Sequence, residues 1–368
     1  QIDSRVAERD PKIRALLEQY VCVRVITANG MDLSLFQFDY DQSWAAFLLN
    51  ADRTIYGRYG TRSHQTREHE DISIEGFGAA LEGGLALHKE FPKNREALAA
   101  KRGPAPATRA PEEFASLKGK YTSALDYQGK VVPSCIHCHQ VGEALRNEYR
   151  PAGKPVPADV LFPYPHPKIL GLILDPRRRA AVLGVSPESP AEKDGFKAGD
   201  EILSLEGQPL LSLADLQWAL HRAGDPAALK AEVSRGGKTM ELKLTLTEGW
   251  RRKGDLSWRA TSWDLRRRVT GGLLLKDDVS TDRRAQLGLK PGTMALRVEH
   301  VGQYGDHAAG KKAGFQKDDI VVSFAGREEA MTDSELMAFL VNATKPGETV
   351  PVVIVRGTGR MEFKLPMK

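Results

Sequence analysis

Ser189-Pro190-Ala191-Glu192-Lys193-Asp194-Gly195-Phe196-Lys197-Ala198-Gly199-Asp200-Glu201-Ile202-Leu203-Ser204-Leu205-Glu206-Gly207 is a stretch the chain uses twice. Its middle returns as Lys312-Ala313-Gly314-Phe315-Gln316-Lys317-Asp318-Asp319-Ile320, and Gly207 returns as Gly326 at the same offset from the Gly-Phe pair. Self-similarity over so long a period marks a repeated structural unit. Gly195 and Gly199 free the backbone for tight turns around the loop that leads into a strand at Ile202. Each copy continues with a helical pattern, Leu213 to Leu220 and Leu336 to Val341. Each then closes on paired strands around residues 233–238 and 353–357.

The pattern from Ser189 to Gly207 resembles PDZ domains of the bacterial periplasmic protease type. The resemblance implies a site where an extended C-terminal peptide adds as a strand, its carboxylate held by the N–H groups of a glycine-containing loop. In the first repeat Leu170-Gly171-Leu172-Ile173 has the apolar-Gly-apolar form of that loop, and Leu216 and Leu220 face it from the helix. At that place the second repeat offers Met294-Ala295-Leu296-Arg297, without the glycine, and is expected only to pack. Between the repeats, residues 250–292 read as an insert whose Trp258 and Trp263 are expected to seal the contact between them.

Upstream lies Pro133-Ser134-Cys135-Ile136-His137-Cys138-His139-Gln140, which fits the C-x-x-C-H spacing of a haem c attachment. Two thiols one helical turn apart can each bond one vinyl group of a porphyrin, and the adjoining imidazole can serve as proximal iron ligand. Cys135 to His139 is expected to be the first turn of a short helix. On this reading Cys135 and Cys138 anchor one covalent haem c, and His139 binds its iron. His166, in the proline-rich stretch that follows, is the first candidate for the distal ligand; His88, His69, His64 and an open sixth position are the others. The same residues, with His137, also allow a zinc or copper ion, or a dithiol or disulfide.

In the N-terminal region, Asp10 to Tyr20 reads as the end of an amphipathic helix. Val21-Cys22-Val23-Arg24-Val25-Ile26 reads as a strand, with Cys22 a small packed residue. Residues 44–49 and 54–60 read as a hairpin about the turn 50–53, and a helix from Asp71 to about Glu90 closes the region. Asp10 to Val25 and Phe47 to Gly60 resemble thioredoxin-like domains. By that resemblance a redox C-x-x-C is expected upstream of Gln1, and the usual proline before the second strand is missing.

At 368 residues about two to four domains are expected, and 41% hydrophobic with 27% charged residues is ordinary for a globular chain. No apolar run has the length of a membrane span. A net charge of +5 gives no nucleic-acid footprint, and the Arg177–Arg179 and Arg266–Arg268 runs read as solvated faces. Three cysteines make no disulfide framework. Haem c attachment occurs outside the bacterial cytoplasmic membrane, so a periplasmic or otherwise extracytoplasmic location and a cleaved leader are expected. Gly236-Gly237-Lys238-Thr239 is no P-loop, because Glu232 stands where a glycine is needed. There is no G-x-S-x-G, and protease activity is not expected.

The whole arrangement resembles a family of exported thioredoxin-like/PDZ proteins, some of them selenoproteins. It implies an α+β multidomain chain. A thioredoxin-like α/β domain (1–100) precedes a helical, haem-binding linker segment (101–168). A first PDZ-like β-barrel (169–249), the insert (250–292) and a second PDZ-like β-barrel (293–368) follow. The expected function is that of a monohaem c-type redox protein docking to a protein partner through the first PDZ domain. The alternatives are a zinc- or copper-binding interaction protein, and a thiol–disulfide oxidoreductase with its cysteines upstream.

Overall fold

The computed structural model describes Val6 and residues 10–368. It divides into two compact units, Gln1–Val141 with Phe162–Gly254, and Gly142–Leu161 with Asp255–Lys368.

After a helical turn at Arg14–Leu17, the first unit has strands β1 (Ala46–Leu49) and β2 (Ile55–Tyr59), an antiparallel hairpin. Its turn is tied by the Asn50 N–H to the Thr54 carbonyl at 2.9 Å. Helix α1 (Ile74–Lys89) starts where the Ser73 hydroxyl accepts the Gly76 N–H at 2.9 Å, a side-chain N-cap. Ile74, Phe77, Ala80 and Leu81 of α1 bury one face against Ile13, Leu17, Leu48, Tyr56 and Tyr59. Helix α2 (Cys138–Asn147) begins in this unit.

The expected thioredoxin-like domain is not there. Residues 21–26 form no strand, and Val21 and Val23 are 95% and 81% exposed. Their β-branched composition favours extended chain, yet a strand also needs a neighbour to take its N–H and C=O groups. The only sheet in this region is the two-stranded hairpin, so the central α/β sheet that defines the expected fold is missing among the described residues.

The rest of the first unit holds β3 (Leu172–Leu174) antiparallel to β4 (Val182–Val185), then β5 (Glu201–Leu205), β6 (Gln208–Pro209), helix α3 (Leu213–Arg222), β7 (Ala227–Arg235) and β8 (Lys238–Leu246). Leu229, Ala231 and Val233 of β7 point inward and alternate with exposed Ala228, Lys230 and Glu232, the period of a strand with one face on a core. They meet Leu172, Leu174, Phe196, Ile202, Leu216 and Leu220 in one cluster.

In the second unit, helix α4 (Ser262–Val269) is followed by β9 (Leu273–Lys276), β10 (Leu296–Val301), β11 (Ile320–Phe324), helix α5 (Asp333–Ala343), β12 (Thr349–Arg356) and β13 (Gly359–Pro366). The five strands form one antiparallel sheet in the order β13-β12-β11-β10-β9. β9 pairs with β10 as β3 pairs with β4, so part of the segment read as an insert is built into the sheet. The expected β-barrels are open sheets: β6-β5-β7-β8 and β3-β4 in the first repeat, and the five-stranded sheet in the second.

One device recurs inside both repeats. Asp200 accepts the Arg235 Nε at 2.6 Å and the Lys197 N–H at 2.8 Å, while Arg235 Nη2 reaches the Gly195 carbonyl at 2.7 Å. Asp319 accepts the Arg356 Nε at 2.7 Å and the Gln316 N–H at 2.8 Å, while Arg356 Nη2 reaches the Gly314 carbonyl at 2.8 Å. The arginine at the end of β7 or β12 thus pins the turn that the repeated sequence encodes. Gly195 and Gly199 adopt φ of +87° and +89°, as those turns require.

Candidate functional site

A short 3-10 turn, Pro167–Leu170, delivers the chain into β3. Gly171 between them has φ +87°, and a Cβ there would lie 2.1 Å from the Ser189 hydroxyl, so only glycine fits. The Gly171 N–H turns back to the Lys168 carbonyl and its own carbonyl accepts the Ser186 N–H. Along β3, Leu172 and Leu174 point into the core and Ile173 points out, 37% exposed. β3 pairs with β4 on one side and with no described strand on the other, which leaves an edge of N–H and C=O groups.

Helix α3 is buried along Leu213–Leu220, polar residues included. Leu216 and Leu220, chosen from the sequence as facing the loop, are completely buried with Leu170, Leu172 and Leu174. Six sequence-selected residues (Leu170, Gly171, Leu172, Ile173, Leu216, Leu220) therefore come together in one place. The sequence did not point to the residues that lie beyond them. Leu174, Asp175, Pro176, Ser212, Leu213 and Ala214 line a small cavity whose other wall is Tyr59, Gly60, Thr61, Asp71 and Ile72.

The segment that forms that wall is bonded to α3 and to the loop. The Arg58 N–H donates to Asp215 at 3.0 Å, the Ser212 hydroxyl donates to the Arg58 carbonyl at 2.5 Å, and the Thr61 hydroxyl donates to Gln217. The Arg58 guanidinium lies 4.1 Å over the Trp218 ring; burial pulls its pKa down to about 10. Lys101 and Asp215 form an ion pair at 2.8 Å with both side chains fully buried. Burial lowers the Lys101 pKa, and the Asp215 charge opposes that shift.

Asp71 is the centre of the contact with the loop. One carboxylate oxygen meets His166 Nε2 at 3.1 Å and Lys168 Nζ at 3.2 Å; the other accepts the Ser63 N–H and hydroxyl, each at 2.7 Å. Burial pushes the carboxyl up, but the hydrogen bond and charge of His166, the Ser63 hydroxyl and the Lys168 charge outweigh it, so its pKa is depressed. His166 Nδ1 accepts the Lys168 N–H at 3.2 Å. Both ring nitrogens of His166 are thus engaged at this loop, not turned to an iron. Serine, carboxylate and imidazole meet here with the carboxylate in the middle. A nucleophile–base–orienter series needs the imidazole in the middle, so His166 is not placed to take the Ser63 proton.

The C-x-x-C-H residues lie elsewhere in the first unit. Cys135 closes the helical turn Val131–Ser134, and α2 starts only at Cys138, so the two cysteines sit on successive helices rather than within one turn. Asn29 holds the link between them, accepting the Ile136 N–H at 2.8 Å and donating to the Ser134 carbonyl at 3.0 Å. The Cys135 thiol donates to the Thr27 hydroxyl at 3.4 Å. Burial raises the Cys138 pKa, with the neighbouring Cys135 adding to it. The His137 and His139 rings are parallel, 5.7 Å between centroids. Among the described residues no group of three or more His, Cys, Asp or Glu is placed to hold a metal ion.

Residues 166–246 match the model of the PDZ domain family. The chain is 31% identical over 184 residues to the periplasmic pH-dependent serine endoprotease DegQ of Escherichia coli (strain K12), covering 50% of this chain and 35% of that protein. It is 38% identical over 73 residues to a probable periplasmic serine endoprotease DegP-like of Pseudomonas putida (strain W619), covering 20% of this chain and 15% of the relative. A solved structure of the HtrA-type protease AlgW with a decapeptide aligns with a TM-score of 0.24 and 14% identity, over 38% of this chain and 48% of that one. The chain spans about a third of the length of the first curated relatives it matches. These relatives are serine endoproteases. That overturns the expected monohaem redox protein, together with the metal-binding and thiol–disulfide alternatives and the likeness to an exported thioredoxin-like/PDZ family. The extracytoplasmic expectation is met, since the relatives are periplasmic. No described helix is long and apolar enough to cross a membrane. A PDZ domain at residues 166–246 equips the chain for contact with other proteins.

Proposed function

We propose that the first PDZ domain is a peptide-binding module of a periplasmic protein, taking the extended C-terminus of a partner as a strand beside β3. The partner's backbone pairs with the free edge of Leu172–Leu174. Its terminal carboxylate sits at the Leu170-Gly171 loop, and an apolar last side chain lies beside the exposed Ile173. The observation that carries this reading is the unpaired edge of β3, next to a loop that only glycine can form. Strand addition gives affinity through main-chain bonds and specificity through alternate side chains.

The test is a titration of the full chain with a short peptide ending in an apolar residue, with a free carboxylate or as its amide. The free acid is expected to bind at least tenfold tighter, about 1.4 kcal/mol, with amide shift changes centred on Leu172–Leu174. Gly171→Val is expected to remove binding. Equal affinity for acid and amide would remove the reading.

A further inference from the structure

The candidate groove is walled beyond the end of β3, where Tyr59, Gly60, Thr61, Asp71 and Ile72 face Leu174–Pro176 and Ser212–Ala214. We infer that the chain's own segment Tyr59–Ser73 limits a bound C-terminus to about three residues, and that a longer tail enters only when that segment is displaced. This rests on the peptide-binding reading and adds the length of ligand the site takes and the device that sets it.

A strand added antiparallel to β3, with its carboxylate at Gly171, runs from Leu172 towards Leu174 and then Asp175 and Pro176. At about 3.4 Å per residue, three peptide residues use up the three residues of β3. The fourth would lie beside Asp175 and Pro176, where the chain itself is already packed. The Ser73 hydroxyl donates to the Pro176 carbonyl at 2.8 Å. The start of α1 is so close that a Cβ on Gly76 would sit 2.1 Å from that carbonyl oxygen. Across the gap between Leu174–Pro176 and Ser212–Ala214 stand Tyr59, Gly60, Thr61, Asp71 and Ile72.

The wall is fastened at both sides of the groove. On the helix side Thr61 bonds Gln217, and the Arg58 backbone bonds Asp215 and Ser212. On the loop side Asp71 bonds His166 and Lys168. These side chains flank the turn that leads into Gly171, so the Asp71 carboxylate draws on the same positive charge that an incoming terminal carboxylate would meet. Every one of these bonds is polar and could be exchanged for water, whereas the Leu172–Leu174 side of β3 is core. Tyr59 and Ile72 are themselves buried in the core with Leu211 and α1, so the part of the wall that can be displaced without opening the domain is its polar side at Ser63 and Asp71.

The experiment compares two peptides with the same last three residues, three and eight residues long, titrated by amide chemical shifts into the full chain and into Asp71→Asn and Ser73→Ala. For the unaltered chain the longer peptide is expected to bind at least tenfold more weakly than the shorter. In both variants that gap is expected to close; the affinity of the shorter peptide changes less than twofold in Ser73→Ala and rises in Asp71→Asn, which frees Lys168 for the terminal carboxylate. Ser73→Ala removes the hydroxyl that both caps α1 and bonds Pro176 and keeps Asp71 in place, so it decides the matter if it melts cooperatively and Asp71→Asn does not. If the longer peptide binds the unaltered chain as well as the shorter, the length limit is overturned and the peptide reading stands. If the variants alone bind either peptide, the wall hides the whole groove and the length limit is again overturned. If neither peptide binds any form, the peptide reading itself falls.

Discussion

The first and second repeats share their turn, their pin and the pairing of their first two strands, and they part company at the helix. In the first, Asp215 lies near the start of α3 and is met by Lys101 at 2.8 Å and by the N–H groups of Arg58 and Leu211, each at 3.0 Å. In the second, Asp333 is the first residue of α5 and is met by the guanidinium of Arg266, which is 1% exposed. Each helix thus carries one buried carboxylate, and a cation from chain preceding the repeated sequence neutralises it. The strands and the pin are written within the repeat; the outer face of the helix is finished by what comes before it. This is why the two modules need not bind alike although their cores agree.

The comparison breaks most visibly when one cation is removed. Lys101→Met leaves Asp215 buried without its counter-charge and is expected to cost about 3–5 kcal/mol in urea unfolding of the full chain. Arg266→Met is expected to cost the same. The double replacements then separate the repeats. Arg266→Met with Asp333→Leu should recover most of the loss, because a buried pair exchanged for apolar side chains is nearly neutral. Lys101→Met with Asp215→Leu should recover much less, since it leaves the N–H groups of Arg58 and Leu211 without an acceptor. Equal recovery in both would mean that the backbone donors on Asp215 contribute nothing.

A smaller effect tests the shared part. Asp200→Asn and Asp319→Asn each weaken the charge-assisted bonds to an arginine fork and are expected to cost about 1.5–3 kcal/mol. The two costs should be similar, since the contacts of the two pins match bond for bond. A silent Asp319→Asn would show that the second repeat keeps the geometry of the pin without depending on it.

The turn and strands of the repeats were legible because each is a local pattern: glycines at fixed offsets, a two-residue alternation, a helix with a polar cap. Ser189 and Ser212 cap the helices that follow them, as such patterns predict. The start of the second repeat was less legible. Thr270-Gly271-Gly272 reads as a turn, but only the pairing of Leu273–Lys276 with Leu296–Val301 shows that it opens a sheet. Val21 to Ile26 misled in the opposite sense, since composition describes the residues and not the neighbour they lack. Cys135 to His139 misled because a five-residue spacing says nothing of the bend that separates its two halves. The wall at Asp71 was invisible for a plainer reason. Its partners His166 and Lys168 are 95 and 97 residues away, and no local pattern carries a contact at that range.

The smallest expected effect is in pH, where the wall against the first repeat and the helix of the second should answer acid differently. Asp71 is held below the ordinary carboxylate range, so its contribution is complete above the unfolded value of about 3.9 and is lost as pH falls below it. Burial raises Asp333, with Arg266 only partly opposing it. A raised carboxyl stabilises below the unfolded value, and that contribution fades as pH climbs through the folded one. Between neutrality and about pH 4, then, acid should relieve the second repeat while leaving the Asp71 contacts of the first intact. Calorimetric melts of the full chain over that range should show one transition moving up by a few degrees. Asp333→Asn should cancel the movement, and Asp71→Asn should leave it unchanged. If Asp71→Asn cancels it instead, the carboxylates have been assigned to the wrong sides of the comparison.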